Sequence, residues 1–296
     1  MTKTAWIFPG QGSQKLGMAE DLADLPQAQS YFEKAEKILG WSVLDLCQQD
    51  ETQLNQTLYT QPCLYVIESI LADLLTQQGQ TPQMVAGHSL GEYVALYAAR
   101  VFDFATGLEL VQRRATLMDA TAGGKMVALI GFKREELQQE LDKNSDVVLA
   151  NDNSDAQVVI SGTPSAVDEL LTHIKAKRAL PLNVSGAFHS PLMASAAAEF
   201  QTALDGVSFS EATVPVLSNV NPTPSTSSEE LKSRLVQQMT GSVRWREIMA
   251  QMAREGVEQV IEIGPGQVLT GLFKRGYSQI SRVNVSRFAD LKSVVE

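Results

Sequence analysis

Cysteine and histidine are both scarce in this sequence. Its 296 residues include only two cysteines and three histidines. Cys47 and Cys63 lie 16 residues apart, without a Cys-x-x-Cys pattern and without clustered histidines. This arrangement indicates neither a disulfide framework nor a metal site. We expect two buried thiols.

Long apolar runs and low-hydrophobicity tracts are also lacking. No apolar segment approaches the roughly 18 residues that a membrane span needs. The apolar run Thr4–Phe8 is too short for the core of a signal peptide. We therefore expect a globular protein of the cytoplasm, or of an equivalent reducing compartment, with no membrane partner.

Positive charge is in the minority. The 24 basic residues stand against 34 acidic ones, which gives a net charge of -10. Such a charge repels nucleic acid, so we expect no nucleic-acid partner. An anionic coenzyme or an acidic protein would depend on local basic clusters, for which the candidates are Lys175, Lys177 and Arg178, and Lys274 with Arg275.

The first third of the chain alternates short apolar runs with helical patterns. The patterns predict strands at 5–8 and 83–86 and helices at 31–39 and 62–77. Such alternation is typical of a parallel sheet flanked by helices.

A different order follows Gly123 and Gly124. Strands are predicted at 126–132, 147–150, 157–161 and 179–184, and helices at 134–143 and 165–178. The order βαββαβ is that of a ferredoxin-like unit. Strands at 215–219 and 259–263 then resume the first pattern. We predict an α/β fold in which 1–124 and 190–296 form a discontinuous large domain and 125–189 form a small inserted domain.

A Gly-x-Ser-x-Gly pattern at Gly87, Ser89 and Gly91 lies between a predicted strand and a helical run at 92–99. This is the context of a nucleophile elbow, in which the serine projects at a helix N-terminus. Free N–H groups there can stabilise an oxyanion. Ser89 is the predicted nucleophile.

A serine nucleophile needs a base, and three histidines are available. His88 lies inside the elbow, where adjacent side chains diverge, and His173 lies beside the apolar stripe of a predicted surface helix. His189 lies in a loop at the predicted domain junction, just before a helix start. His189 is therefore the best-placed base.

Two adjacent arginines lie in a helix predicted over 105–121. At about 100° per residue, Arg114 points towards the apolar arc and Arg113 points away from it. An inward guanidinium needs a partner, because an unpaired buried charge is strongly unfavourable. That partner is either an internal carboxylate or a substrate carboxylate held bidentately.

The first strand is followed by a glycine-rich turn that includes Gly10 and Gly12. It lacks the Gly-Lys-Ser/Thr of a phosphate loop and the third glycine of a dinucleotide site. It is either a tight turn or a source of a backbone N–H donor beside the elbow, if the first strand and the elbow strand are neighbours.

Together, the motifs at 10–14, 87–92, 186–190 and 264–266, with Arg114, resemble the malonyl-CoA:acyl carrier protein transacylases of fatty-acid synthesis. They are also close to the acyltransferase domains of polyketide synthases. The similarity runs from about residue 5 to about residue 275. It implies an α/β-hydrolase-like core with a ferredoxin-like insert.

The resemblance also implies roles for particular residues. Ser89 is the expected nucleophile and His189 its general base, with the His189 ring oriented by a backbone carbonyl near Gln238. Gln11 and Leu90 are expected to contribute the N–H groups of the oxyanion hole.

Arg114 is implied as the clamp on the malonyl carboxylate. Phe188 bears on acyl choice, because in the resembling polyketide domains an aromatic residue there accompanies malonyl and a small residue accompanies α-methyl substrates. The implied partners are malonyl-CoA and holo-acyl carrier protein, with no metal and no other cofactor, and we expect a monomer.

Two other functions fit parts of the pattern. A thioesterase or lipid hydrolase uses the same elbow, usually with an acidic residue between serine and histidine, for which Asp152, Asp155 or Asp168 are candidates. Arg114 argues against a lipase, which has no use for it. A noncatalytic subunit that binds acyl chains or a carrier protein is the other alternative.

Overall fold

The computed structural model describes residues 2–184 and 186–295, so the predicted domain limits at 1 and 296 lie outside them. The chain forms two β-sheets with helices around them. The strands are β1 (Thr4–Phe8), β2 (Met84–Gly87), β3 (Lys125–Ile130), β4 (Val147–Ser154), β5 (Gln157–Gly162), β6 (Arg178–Pro181), β7 (Val216–Leu217), β8 (Gln259–Ile263) and β9 (Ser281–Val285).

The α-helices surround these strands, and short 3₁₀ helices cover Glu20–Leu22, Pro191–Met193 and Phe288–Leu291. The α-helices are α1 (Pro26–Leu39), α2 (Val43–Gln49), α3 (Glu51–Leu54), α4 (Thr57–Gln77), α5 (Gly91–Ala98), α6 (Phe104–Asp119), α7 (Arg134–Leu141), α8 (Pro164–His173), α9 (Ala194–Asp205), α10 (Ser228–Gln238), α11 (Trp245–Arg254), α12 (Val268–Gly276) and α13 (Lys292–Val295). Within the described residues, no helix is both long enough and apolar enough to cross a membrane.

The larger sheet has the order β7-β2-β1-β8-β9, and every neighbouring pair is parallel. Its central strand β1 is buried because helices cover both faces, as a parallel sheet requires. The predicted neighbourhood of the first strand and the elbow strand is confirmed, since Phe8 pairs with Gly87 at the carboxyl ends of β1 and β2. The mixed α/β fold with a parallel sheet is likewise confirmed.

The smaller sheet has the order β4-β5-β3-β6, and its neighbours are antiparallel. Its elements follow one another as β3-α7-β4-β5-α8-β6. Apolar residues of β3, β5 and α8 fill the space between this sheet and its helices, as their alternation and helical spacing predict. Strand β4 is joined to the segment between α10 and α11, where Asp152 N donates to Val243 O and Val243 N donates to Ala150 O, at 2.9 and 2.8 Å.

Several predicted limits shift in the structure. The helix predicted from residue 62 begins at Thr57, with Pro62 inside it, and its first turn is held by the Thr60 hydroxyl on Gln56 O at 3.0 Å. The helix predicted to residue 178 ends at His173, because Ile174 is extended and the chain must turn to pair β6 with β3. Strand β9 was not predicted, since it lies at the sheet edge with most residues half-buried.

Candidate active site

Ser89 lies at the sharp turn between β2 and α5. Its φ is +52°, a left-handed conformation that a non-glycine residue rarely adopts. The glycines on either side are required by close packing. A Cβ added to Gly87 would lie 1.8 Å from the carbonyl carbon of Gly91, and one added to Gly91 would lie 2.1 Å from Phe8 O. The turn therefore has the form of a nucleophile elbow, with Ser89 at the start of a helix.

His189 contacts the nucleophile. Its Nε2 lies 2.8 Å from Ser89 Oγ, and its Nδ1 lies 3.0 Å from Gln238 O and 3.1 Å from Gly241 O. Since carbonyl oxygens only accept, Nδ1 must carry the proton and Nε2 is left to accept from the serine hydroxyl. Burial, together with the positive charge of Arg114, lowers the pKa of His189 to about 3. The imidazole is thus neutral, and its unprotonated Nε2 faces the serine hydroxyl.

Arg114 lies on the inner face of α6 and is 1% exposed. Its Nη1 donates to Gln61 Oε1 at 2.6 Å, and its Nη2 donates to Ser89 Oγ at 3.0 Å and to Gln238 Oε1 at 3.1 Å. Arg113 points to solvent with a side chain 46% exposed and pairs with Glu199, so the predicted orientation of the two arginines is confirmed.

The Arg114 guanidinium has no carboxylate partner within residues 2–184 and 186–295, where no acidic oxygen lies within 4.0 Å of it. Its Nε atom has no hydrogen-bond partner among those residues either. The Tyr93 ring lies below it at 5.3 Å, and burial lowers the pKa of Arg114. A buried cation with only neutral partners is prepared for an anion. Of the two predicted partners, no internal carboxylate contacts Arg114 among the described residues, although the charge of the nearby Glu92 partly offsets the effect of burial on the Arg114 pKa.

The glycine-rich turn lies directly beside the elbow. A Cβ on Gly10 would lie 2.4 Å from His88 O, so only glycine permits this approach. Within the described residues, the backbone N–H groups of Gln11 and Leu90 donate to no acceptor. The Gln11 side chain bonds to the Thr57 hydroxyl at 3.0 Å, which ties the turn to the start of α4.

Phe188 precedes the histidine and is buried in the main hydrophobic core. A Cβ added to Gly186 would lie 3.0 Å from the Phe188 ring, so the glycine makes room for the aromatic side chain. His189 itself has a φ of +56°. The segment is therefore held in one conformation by packing on one side and by the His189 hydrogen bonds on the other.

The remaining histidines do not contact Ser89 Oγ. His88 bonds through Nε2 to Asn153 Oδ1 at 2.8 Å, which joins the elbow to β4, and burial lowers its pKa. His173 is half-exposed at the end of α8, beside Glu140. The two basic clusters, at residues 175–178 and 274–275, have exposed lysines and arginines.

The acidic candidates of a hydrolase triad lie elsewhere. The Nδ1 atom of His189 is held by carbonyl oxygens, and none of the three predicted aspartates contacts it. They pair with basic side chains instead: Asp152 with Arg134 and Arg246, Asp155 with Arg246, and Asp168 with Lys125.

Three side chains that surround the site were not predicted from the sequence: Gln61, Glu92 and Asn219. Gln61 holds Arg114, while Asn219 Oδ1 accepts from the Ser89 N–H at 2.7 Å. Asn219 is the last residue of a predicted strand of the parallel sheet, and polar residues at the carboxyl ends of such strands are often functional. Gln61 lies one residue before the helix predicted from residue 62, and the observed helix α4 contains other polar side chains, such as Glu68 and Asp73. Only the signal at Asn219 was therefore available in the sequence.

A scan against family models matches residues 5–292 to the acyl transferase domain. The chain belongs to this acyltransferase family. It is 55% identical over 292 residues to the malonyl CoA-acyl carrier protein transacylase of Synechocystis sp. PCC 6803, covering 99% of this chain and 100% of the relative. The resemblance stated from the motifs is confirmed.

Solved structures agree with this assignment. The crystal structure of the Synechocystis sp. PCC 6803 malonyl-CoA:ACP transacylase superposes with a TM-score of 0.97 at 55% identity, over 98% of this chain and 99% of that one. A malonyl-transacylase in complex with its type II polyketide synthase acyl-carrier protein gives a TM-score of 0.94 at 38% identity, over 99% of each chain. The chain is therefore an acyltransferase with the fold of these enzymes.

Proposed function

We propose that the chain transfers the malonyl group of malonyl-CoA to the phosphopantetheine thiol of an acyl carrier protein, through a malonyl-Ser89 intermediate. One observation carries this proposal. Arg114, buried and without a carboxylate partner in the described residues, lies 3.0 Å from Ser89 Oγ. In malonyl-Ser89 one methylene separates the free carboxylate from the ester carbonyl, so the carboxylate would lie within reach of this guanidinium.

In the proposed first half-reaction, Ser89 Oγ attacks the thioester carbonyl while its proton passes to His189 Nε2. The backbone N–H groups of Gln11 and Leu90 stabilise the tetrahedral oxyanion. The carbon–sulfur bond then breaks, and CoA leaves as a thiol with the proton from His189. The carbonyl oxygens of Gln238 and Gly241 keep the proton on Nδ1, which supports this assignment.

In the second half-reaction the carrier thiol passes its proton to His189 Nε2 and attacks the malonyl ester. Ser89 leaves and recovers the proton, so the cycle is closed without oxidation or reduction. We accordingly propose that neither a metal nor a redox cofactor takes part. A pathway of fatty-acid or polyketide chain extension fits this product, and one of the relatives above forms a complex with a type II polyketide synthase acyl-carrier protein.

Arg114 selects the acyl group by binding its carboxylate bidentately. Gln61 and Gln238 hold the guanidinium in place without neutralising it. Phe188 restricts the space available at the α-carbon, so that malonyl is favoured over methylmalonyl. Its buried position next to the base supports this role.

The fold assignment can be refined in the same way. We propose that residues 1–124 and 190–296 form an α/β-hydrolase-like domain and that 125–189 form a ferredoxin-like insert. The all-parallel order of the larger sheet supports the first, and the βαββαβ element order with antiparallel neighbours supports the second. In this division, His189 lies at the junction between the two domains.

The cellular context is also a proposal. Both cysteines are free and buried, as expected in a reducing compartment such as the cytoplasm. We propose a monomer that uses no nucleic-acid partner, in line with the net charge of -10.

Intact-mass analysis after mixing with malonyl-CoA tests the proposal. We expect one covalent malonyl increment on the wild-type chain and none on Ser89→Ala. A noncatalytic binding subunit would show no increment on either chain. Adding holo-acyl carrier protein should then convert the increment into malonyl-carrier. Free malonate as the main product would instead identify a hydrolase.

A further inference from the structure

A buried carboxylate that the mechanism does not use lies behind the nucleophile. Glu92 is the second residue of α5 and is fully buried. Its Oε2 accepts from the Asn219 N–H at 3.0 Å and from Gln238 Nε2 at 2.8 Å. One oxygen therefore joins two segments that the sequence places more than a hundred residues away from it.

These two residues in turn hold the backbone of Ser89. Asn219 Oδ1 accepts from the Ser89 N–H at 2.7 Å, and Asn219 Nδ2 donates to Gly87 O at 2.6 Å. Gln238 Nε2 donates to Ser89 O at 2.9 Å. Both polar backbone groups of the nucleophile are thus bound by side chains of residues that Glu92 contacts, Asn219 through its backbone N–H and Gln238 through its side chain.

The donors and acceptors allow only one orientation of each amide. Gln238 Oε1 must face Arg114, which only donates, and Gln238 Nε2 must face Glu92 and the Ser89 carbonyl, which only accept. Asn219 is fixed in the same manner, since a backbone N–H lies on one side of its amide and a carbonyl on the other. Neither amide can flip without losing a buried hydrogen bond.

Ser89 needs such support. Its left-handed φ is a strained conformation that persists only when its surroundings hold it. The same Gln238 also provides the backbone carbonyl that orients His189. Displacement of Gln238 would therefore disturb the nucleophile, the base and Arg114 together.

We propose that Glu92 is a positioning residue, which fixes Asn219 and Gln238 through one shared acceptor oxygen and thereby aligns Ser89 with His189. The Glu92 backbone N–H donates to Ser89 O at 3.2 Å, but its carboxylate contacts neither Ser89 Oγ nor His189 and acts through its two partners. The inference deepens the proposed transfer reaction and rests on it for the choice of substrate, but not for the reactivity of Ser89.

The test compares Glu92→Ala, which removes the acceptor, with Glu92→Gln, which keeps an oxygen of the same reach. We expect Glu92→Ala to lower kcat for malonyl transfer by about 10²-fold, as misplacement of reacting groups does, with KM within about threefold of wild type. Glu92→Gln should recover most of kcat. If Glu92→Ala does not fold, Glu92→Asp takes its place, because it shortens the reach of the carboxylate.

A substrate-independent probe separates this inference from the proposed function. Diisopropyl fluorophosphate forms a bond between Ser89 Oγ and phosphorus, fluoride leaves, and the serine proton passes to His189. We expect labelling of Ser89 to slow in Glu92→Ala as much as kcat does. Rapid labelling of a wild-type chain that malonyl-CoA does not acylate would overturn the proposed function alone. Equal labelling of wild type and Glu92→Ala would overturn the positioning role.

A double-mutant cycle with Asn219→Ala gives a second, independent decision. If Glu92 acts through Asn219, the double variant should label no more slowly than the slower single variant. If the reductions in labelling rate of the two single variants multiply in the double variant, the residues act separately and the proposal is contradicted. A wild-type rate in Asn219→Ala would contradict it as well.

Discussion

The guanidinium of Arg114 donates a hydrogen bond to the Oγ of Ser89 at 3.0 Å. A buried cation at this place can pair with an anionic acyl group but not with a neutral one. In the proposed transfer it lies beside the position of the free carboxylate of a dicarboxylic acyl group, and it would link the nucleophile to acyl selection.

Arg114→Ala should therefore abolish the preference for malonyl-CoA over acetyl-CoA. We expect kcat/KM for malonyl-CoA to fall by at least about 30-fold, equivalent to the loss of about 2 kcal/mol of a buried charged contact. The rate of serine acylation by each thioester measures this. Arg113→Ala is the matched control, since its side chain is exposed. An unchanged malonyl preference in Arg114→Ala would remove the proposed clamp.

His189 should remain a competent base well below neutral pH. Its pKa is about 3, because burial and the charge of Arg114 both disfavour the imidazolium. We expect the rate of Ser89 acylation to show no decrease near pH 6.5 from protonation of His189. In Arg114→Met the positive charge that opposes protonation of His189 is absent, so the His189 pKa should rise. The pH below which acylation slows should then move towards neutrality. Acylation rates between pH 5 and 8 compare the two chains.

The lowered pKa of His189 also makes the stability of the native state depend on pH. A histidine whose pKa is lowered on folding stabilises the native state above its unfolded value of about 6.5, and this contribution is lost as the pH falls below that value. His189→Gln should therefore have a shallower loss of Tm on acidification than wild type. Parallel curves of Tm against pH for the two chains would contradict the lowered pKa.

The elbow could be predicted because its requirements are local. Gly87 and Gly91 lie within two residues of Ser89, and their close contacts follow from the turn itself. Arg114 was also accessible, since helical periodicity alone separates it from Arg113. The first strand and the elbow strand were considered as neighbours from the sequence, and they are neighbours, but the pairing of Phe8 with Gly87 appears only in the structure.

The hydrogen-bond network behind the nucleophile could not be predicted in this way. Asn219 and Gln238 meet Ser89 across 130 and 149 residues of sequence. No local pattern predicts that the backbone N–H of Asn219 and the side-chain amide of Gln238 donate to the same oxygen of Glu92. The resemblance to a family named Gln238 for its backbone carbonyl, but the role of its side chain appears only when Arg114, Ser89 and Glu92 are seen around it.

Phe188→Ser should broaden acyl selection. Removing the ring creates space beside His189, so we expect the ratio of methylmalonyl to malonyl acylation to rise by about tenfold, the scale of one methyl group in an apolar pocket. Competitive acylation followed by intact-mass analysis measures this ratio.

The loss of a buried phenyl group also costs stability, so Phe102→Ser, in the contact with Phe209, serves as the control. It should lower Tm without altering the ratio. A ratio that changes equally in both variants would show that destabilisation, and not the shape of the site, relaxes selectivity.

Glu68→Gln should stabilise the protein at alkaline pH. Glu68 is fully buried in α4 against Gly264, and both of its carboxyl oxygens have no hydrogen-bond partner among the described residues. Burial and the nearby charge of Glu262 raise its pKa well above 4.5. The native state therefore holds a proton that the unfolded chain releases above about pH 4.5, and stability is lost as the pH rises from there through the folded pKa.

Glutamine has the same shape and does not ionise, so this pH-dependent loss should disappear. We expect the Tm of Glu68→Gln to exceed that of wild type by about 2–4 °C at pH 8, the equivalent of about 1 kcal/mol, and by less at pH 4.5. Glu258→Gln, at an exposed position, should leave Tm unchanged at both pH values. A Tm difference that is the same at pH 4.5 and pH 8 would mean that Glu68 does not titrate on unfolding.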